Sequence, residues 1–378
     1  EENLSGMPTV HLFHREKSHE EKFKDINKDK VREDLRSIHY NSVYLPSIDV
    51  FSALGMALVI WYGGGKFVQD QIQLGVLVAF LQYLQKFFEP IRDLAEKFNI
   101  IQTAIASAER TFELLDTPED MVDPPIPIPV KEVRGQVEFC NMWFGYKRDE
   151  YVLKNISFSL LEGESLAVVG ATGAGKTSLI NALCRFYEIA RGDILLDGVS
   201  IQKMSKHDLR RQISLVQQDV FLFSGNILDN IRLGNSDLPS EHVESIAQAV
   251  NLHTFVDRLP CKYDQDIRER GNMLSLGQKQ LLSFARALAA DPRILVLDEA
   301  TSSIDTETER HIQDGIKELI RGRTSIIIAH RLSTLKHVDK ILVLKEGQMK
   351  EYGTQKELLQ QRGIYWKLYN LQAGKGVK

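Results

Sequence analysis

The chain has 378 residues, 43% of them apolar and 26% charged, with a formal net charge of −4. That apolar content builds a core and excludes a disordered tail, and the length accommodates two domains. A slightly acidic balance gives no electrostatic case for nucleic acid as a partner. Cys140, Cys184 and Cys261 are too far apart for a zinc site or a disulfide framework, and read as reduced thiols filling buried space. The chain opens on Glu1 in a polar stretch without the basic-then-apolar pattern of a signal peptide, so it reads as a segment that begins inside a longer protein.

Residues 1 to about 42 are charge-rich and read as a solvated helix. Two apolar segments follow. Val43–Gly63 is about long enough to cross a bilayer, with one internal acid, Asp49. The second starts near residue 72 and continues as a helix to about Leu115. The short link GGKFVQDQIQ between them allows an antiparallel hairpin, so residues 1–118 read as part of a transmembrane domain with spans at about 43–63 and 72–115. Asp49, Gln82 and Gln85 dilute the signal, and a buried hairpin of a soluble protein is the competing reading. Basic residues before the first segment and after the second place both ends in the cytoplasm. The proline-rich stretch DTPEDMVDPPIPIPV then blocks regular structure, and 119–132 is read as a linker. From Val133 to the end, short β-rich runs alternate with helical stretches, which implies an α/β domain with a largely parallel sheet.

The most specific signal is Gly170-Ala171-Thr172-Gly173-Ala174-Gly175-Lys176-Thr177, between the strand SLAVV and the helix that Ser178 continues. Its glycines let backbone N–H groups turn toward phosphate oxygens, and the helix N-terminus adds a favourable field for anions. In that pattern Lys176 reaches the β- and γ-phosphates and the Thr177 hydroxyl ligates Mg²⁺. Downstream, RILVLDEA delivers Asp298 and Glu299 at a strand end, Asp298 to hold Mg²⁺ through water and Glu299 as general base on the attacking water. Between these motifs, NMLSLGQKQ opens a helix with a second polar, glycine-containing turn.

The ordered set Tyr146, GATGAGKT, LVQQD, LSLGQ, ILVLDEA, SSID, IIIAHR resembles the nucleotide-binding domain of ATP-binding cassette (ABC) proteins over roughly residues 133–375. The resemblance implies a P-loop NTPase fold with a helical subdomain, preceded by all-α transmembrane helices, with ATP and Mg²⁺ as ligands. It assigns Tyr146 to stacking on adenine, Gln218 to Mg²⁺ and the γ-phosphate, His330 to the γ-phosphate and attacking water, and Asp305 to a loop that crosses to a partner subunit. Two such domains meet head to tail, so Ser275, Gly277 and Gln278 would act on ATP bound to the partner. This chain departs from the family pattern LSGGQ at Leu276. A left-handed backbone there would cost a side chain ~1–2 kcal/mol, and a leucyl side chain crowds the site in any case.

Two helices directly followed by a cassette resemble the C-terminal part of an ABC exporter half-transporter, carrying the last two of six helices. Residues 5–13 fall where that family has an intracellular coupling helix. The resemblance implies a second half-transporter chain as partner, and the altered signature at Leu276 beside a complete hydrolytic set favours a heterodimer over the alternative homodimer. The chain would supply the complete hydrolytic set, with efflux of a drug-like or lipid-like molecule across a plasma (inner) membrane and the cassette in the cytoplasm. A soluble ABC ATPase, or a lipid or peptide exporter working as a homodimer, is the alternative.

Overall fold

The structure is a computed structural model and describes residues 2–119, 121–130, 132–147, 149–233, 235, 237–298, 306–329, 335 and 338–372. The chain divides into two compact units, Glu1–Pro118 and Glu119–Lys378.

The first unit is all helical: α1 (Glu2–Ser5), α2 (Met7–Leu12), α3 (Glu16–Val68) and α4 (Leu74–Asp116). The segment read as a span at 43–63 is continuous with the charged run before it. The charged run and the apolar segment are one helix of 53 residues. Pairs at i,i+3 and i,i+4 spacing, such as Lys28–Asp25 and Lys30–Asp34, support its exposed polar half. The Gly63-Gly64-Gly65 triplet does not end α3, because the helix runs on to Val68 before the turn at 69–73. There the Lys66 carbonyl accepts the Gln71 N–H at 3.0 Å, and Lys66 Nζ donates to Gln71 Oε1 at 2.6 Å. The two long helices pack antiparallel where side chains are small. A Cβ on Gly63 would lie 2.6 Å from Leu77 Cδ1, and one on Gly55 would lie 3.1 Å from Leu84 Cδ2. Such small-residue contacts let helix backbones approach closely. Gln85 packs on α3, its amide donating to Met56 Sδ at 3.8 Å. Among the described residues, α3 is the one helix long and apolar enough to cross a membrane, with an 18-residue window of mean hydropathy 1.8. The helix read as the second span, over about 72–115, is α4. Glu89, Asp93 and Lys97 break the apolar run of α4 soon after Phe88.

The second unit is an α/β domain. In chain order it comprises β1 (Val137–Phe144), β2 (Leu153–Leu160), β3 (Ser165–Val169), α5 (Lys176–Leu183), β4 (Arg191–Leu196), β5 (Val199–Ser200), α6 (Lys206–Arg211) and β6 (Ile213–Val216). Then follow α7 (Ile227–Arg232), α8 (Ser240–Ala249), α9 (His253–Val256), α10 (Leu276–Ala289), β7 (Ile294–Asp298), α11 (Thr306–Ile320) and β8 (Thr324–Ile328). The chain closes with β9 (Lys340–Lys345), β10 (Gln348–Gly353), α12 (Gln355–Gln361) and α13 (Ile364–Gln372).

The main sheet has the order β10-β9-β3-β8-β7-β6 and is parallel except for β10. β3 and β8 are buried at every position, as continuous apolar runs covered on both faces must be. A four-stranded antiparallel sheet, β2-β1-β4-β5, shares one core with the main sheet through Phe139, Met142, Leu166 and Ile326. Helices α7, α8 and α10 form a second core around Phe284 and Ile231 on the other side. The linker is part of this unit. Asp123 accepts the Lys206 N–H at 2.9 Å, and Ile128 N–H donates to the Lys203 carbonyl at 2.8 Å. The buried Arg185 guanidinium donates to the Met204 carbonyl at 3.0 Å and to Glu188 at 2.9 Å, and reaches the Val122 carbonyl at 3.4 Å.

Candidate functional site

Parallel register gathers the site at one edge of the main sheet. Val168 of β3 pairs with Ile328 of β8, and Ile328 pairs with Asp298 of β7, so the three carboxyl ends lie in one row. Val216 of β6 pairs with Leu297, which brings the segment carrying Gln218 to the same edge. The carboxyl edge of a parallel sheet is where α/β folds bind ligands.

The phosphate loop leaves β3 at Gly170. A Cβ there would sit 2.3 Å from the Leu344 carbonyl oxygen, so the loop runs against β9 with no room for a side chain. Gly175 has φ +102, and its Cβ would meet Leu153 Cδ2 at 2.6 Å. Only glycine satisfies both constraints at the N-cap of α5. Ala171, Thr172, Gly173 and Thr177 are exposed, whereas Ala174, Lys176 and Ser178 are buried. Lys176 Nζ lies within the loop, donating to the carbonyls of Gly170 at 2.8 Å and Ala171 at 3.1 Å. Burial pulls its ammonium below the usual lysine range, and the Asp298 carboxylate opposes part of that pull. Lys176 and Asp298 are therefore electrostatic neighbours. The glycine cradle and the buried cation fit a polyphosphate.

Tyr146 lies in the turn between β1 and β2 and is 47% exposed, which excludes a core role. Gln218 is exposed on the segment after β6. The following stretch is held by two residues that belong to none of the motifs. Asn230 donates to the Phe223 carbonyl at 2.9 Å and accepts its N–H at 3.0 Å. Arg286 of α10 donates to the Phe221 carbonyl at 3.0 Å and to Asn230 at 2.9 Å. Neither has a local sequence signal, because the Arg286 partners lie 56 and 65 residues away.

The LSLGQ turn is the N-terminus of α10. Ser275 is its N-cap: Gln278 N–H donates to Ser275 Oγ at 3.3 Å, and Ser275 N–H donates to Gln278 Oε1 at 2.9 Å. This capping box sets the entry to the helix. Gly277 is buried and Gln278 is half-buried. Leu276 is the first helical residue and is not among the positive-φ positions, so the expected left-handed penalty is corrected. What remains is its side chain, 46% exposed at the helix mouth. The Ser275 turn and the Gly170 loop are brought to no common site within this chain's description. Glu299, Asp305 and His330 lie outside the described residues. Of the cysteines, Cys184 is buried and Cys140 half-buried, but Cys261 is exposed, contrary to its reading as buried filler.

The comparisons with known proteins agree with this geometry. Residues 153–302 match the family model for ABC transporters, and residues 1–91 match that for the ABC transporter transmembrane region. The chain is 40% identical over 377 residues to the uncharacterized ABC transporter ATP-binding protein YknV of Bacillus subtilis (strain 168), covering 100% of this chain and 62% of that protein. It is 40% identical over 368 residues to a fatty acid ABC transporter ATP-binding/permease protein of Mycobacterium bovis, covering 97% of this chain and 58% of that one. Among solved structures, a bacterial Atm1-family ABC exporter with ATP bound superposes with a TM-score of 0.84 at 32% identity, covering 100% of this chain and 66% of the other. The chain thus spans about three fifths of the length of these protein relatives. With a transmembrane region followed by an ATP-binding cassette, the chain belongs to the ABC transporters.

Proposed function

We propose that the chain is the ATP-hydrolysing part of an exporter half-transporter whose cassette works only when paired with a second cassette. The observation that carries this reading is the single row of strand ends that sets the Gly170–Thr177 loop beside Asp298. On ATP binding, phosphate oxygens replace the Gly170 and Ala171 carbonyls as acceptors for Lys176. Thr177, Gln218 and, through water, Asp298 would hold Mg²⁺, which neutralises phosphate charge. Glu299 takes the proton of the attacking water, His330 orients the γ-phosphate, and Tyr146 stacks on adenine. Gly173, Ala174, Gly175 and Ser178 complete the phosphate cradle. Ser275, Gly277 and Gln278 close over the partner's ATP, with Asp305 at the crossing between the two.

Leu276 favours a heterodimer. Its side chain stands at the mouth of α10, where this reading brings the partner's phosphates. The site that this turn completes hydrolyses slowly, and the partner supplies an unobstructed turn to this chain's own hydrolytic set. The helices around α3 carry a lipid-like or drug-like molecule across a plasma (inner) membrane. The fatty acid named for the mycobacterial relative and the large apolar residues exposed on α3, among them Phe51, Leu54 and Trp61, support an amphipathic cargo. The match of residues 1–91 to a transmembrane region weighs against a soluble ATPase.

The test is ATP turnover by the full-length transporter, purified alone and with its partner chain. The reading predicts a nearly inert lone chain, brisk turnover in the mixed complex, and little change there on Leu276→Gly. Brisk turnover by the lone chain, accelerated by Leu276→Gly, would establish a homodimer instead.

A further inference from the structure

The ring of Tyr146 comes from the turn after β1, but its hydroxyl is held by α5. Asn181 Nδ2 donates to Tyr146 Oη at 3.0 Å, and the same oxygen shares a hydrogen bond with Ser178 Oγ at 3.1 Å. Ser178 and Asn181 are three residues apart and so lie on one face of α5. The ring also meets Phe144 and Tyr187 nearly at right angles, at centroid distances of 5.0 Å and interplanar angles of 81° and 90°. These contacts and the two hydroxyl bonds hold the ring. The residue is still 47% exposed, which leaves surface for a flat ligand. The helix that fixes it starts at Lys176, so the aromatic surface and the phosphate loop form one hydrogen-bonded body.

We infer that Asn181 is a positioning residue for the nucleotide base, acting through the Tyr146 hydroxyl. This rests on the reading of the cassette as an ATP site. Ser178 is buried in the first turn of α5 beside the loop itself. Asn181 stands one turn further along, so its amide tunes the ring without touching the phosphate cradle. Removing it frees the ring to rotate, and the order lost must be restored each time a base binds.

The test is equilibrium binding of MgATP and of Mg-tripolyphosphate, which has phosphates but no base, to the full-length transporter in nanodiscs. Wild type, Asn181→Ala, Tyr146→Phe and the double variant are compared. Asn181→Ala should weaken MgATP about fivefold, the worth of one ordinary hydrogen bond, and Tyr146→Phe, which also loses the Ser178 bond, at least as much. The double variant should be no weaker than Tyr146→Phe, because that change already removes the Asn181 bond. Tripolyphosphate affinity should be the same in wild type and Asn181→Ala. Additive losses, an equal loss of tripolyphosphate affinity, or unchanged MgATP binding in Asn181→Ala would overturn the inference while leaving the nucleotide reading intact. Failure of wild type to bind MgATP would overturn both.

Discussion

At Gly175 a left-handed backbone and a neighbouring leucine both disfavour any side chain. An added Cβ meets Leu153 at 2.6 Å, and φ of +102 strains any L side chain. Gly175→Ala is therefore expected to lower stability by about 1–2 kcal/mol and to weaken MgATP binding at least about tenfold, read by thermal unfolding and by nucleotide titration. Normal affinity in that variant would contradict the cradle geometry. The cysteines give a second residue-scale prediction. Burial pushes the Cys184 thiol up to about 12, and the side chain is 3% exposed, so it stays protonated and shielded. Cys261 is exposed. Brief maleimide treatment of the native protein should label Cys261 and leave Cys184 untouched until denaturant is added, as peptide mass analysis would show. The phosphate loop was legible in the sequence because its glycines, lysine and threonine are adjacent in the chain. Asn181 and Arg286 were not, because their partners come from other elements 35 to 65 residues away and leave no local pattern.

At the scale of elements, alternation of apolar runs and helical stretches sufficed to read the α/β class, since β3, β7 and β8 are nearly uninterrupted apolar strands. The helix bounds of the first unit were harder to read. A helix that changes from charged to apolar along its length looks like two segments, yet α3 is continuous because i,i+3 and i,i+4 charge pairs stabilise its polar half. The linker is the third case. Its prolines removed it from any strand or helix, but not from the fold. Side chains at 4% exposure place Arg185 inside the domain, where its guanidinium serves Met204, Ile201 and Glu188. Arg185→Ala leaves those buried carbonyls without their donor, at a cost of about 2–3 kcal/mol. Hydrogen exchange should rise across 121–130 in the variant. Unchanged exchange there would mean that the linker is held by other contacts.

At the scale of the whole molecule, the chain supplies one phosphate loop and one signature turn. In the proposed function a second cassette completes each site, and Leu276 favours a different chain as that partner. In the mixed complex, Leu276→Gly is expected to change turnover less than about twofold, whereas the matching change in a homodimer acts on both sites and raises the rate. In the proposed function, closure of the two cassettes would drive the helices between inward and outward access.

The most direct measurement is ATP hydrolysis by the full-length transporter with its partner, comparing wild type with Glu299→Gln. The account makes Glu299 the general base on the attacking water and predicts a loss of at least about 100-fold in kcat, with MgATP binding retained. Turnover within a few-fold of wild type would contradict it: the hydrolytic base would lie elsewhere, and this chain's loop would bind nucleotide without carrying out the reaction.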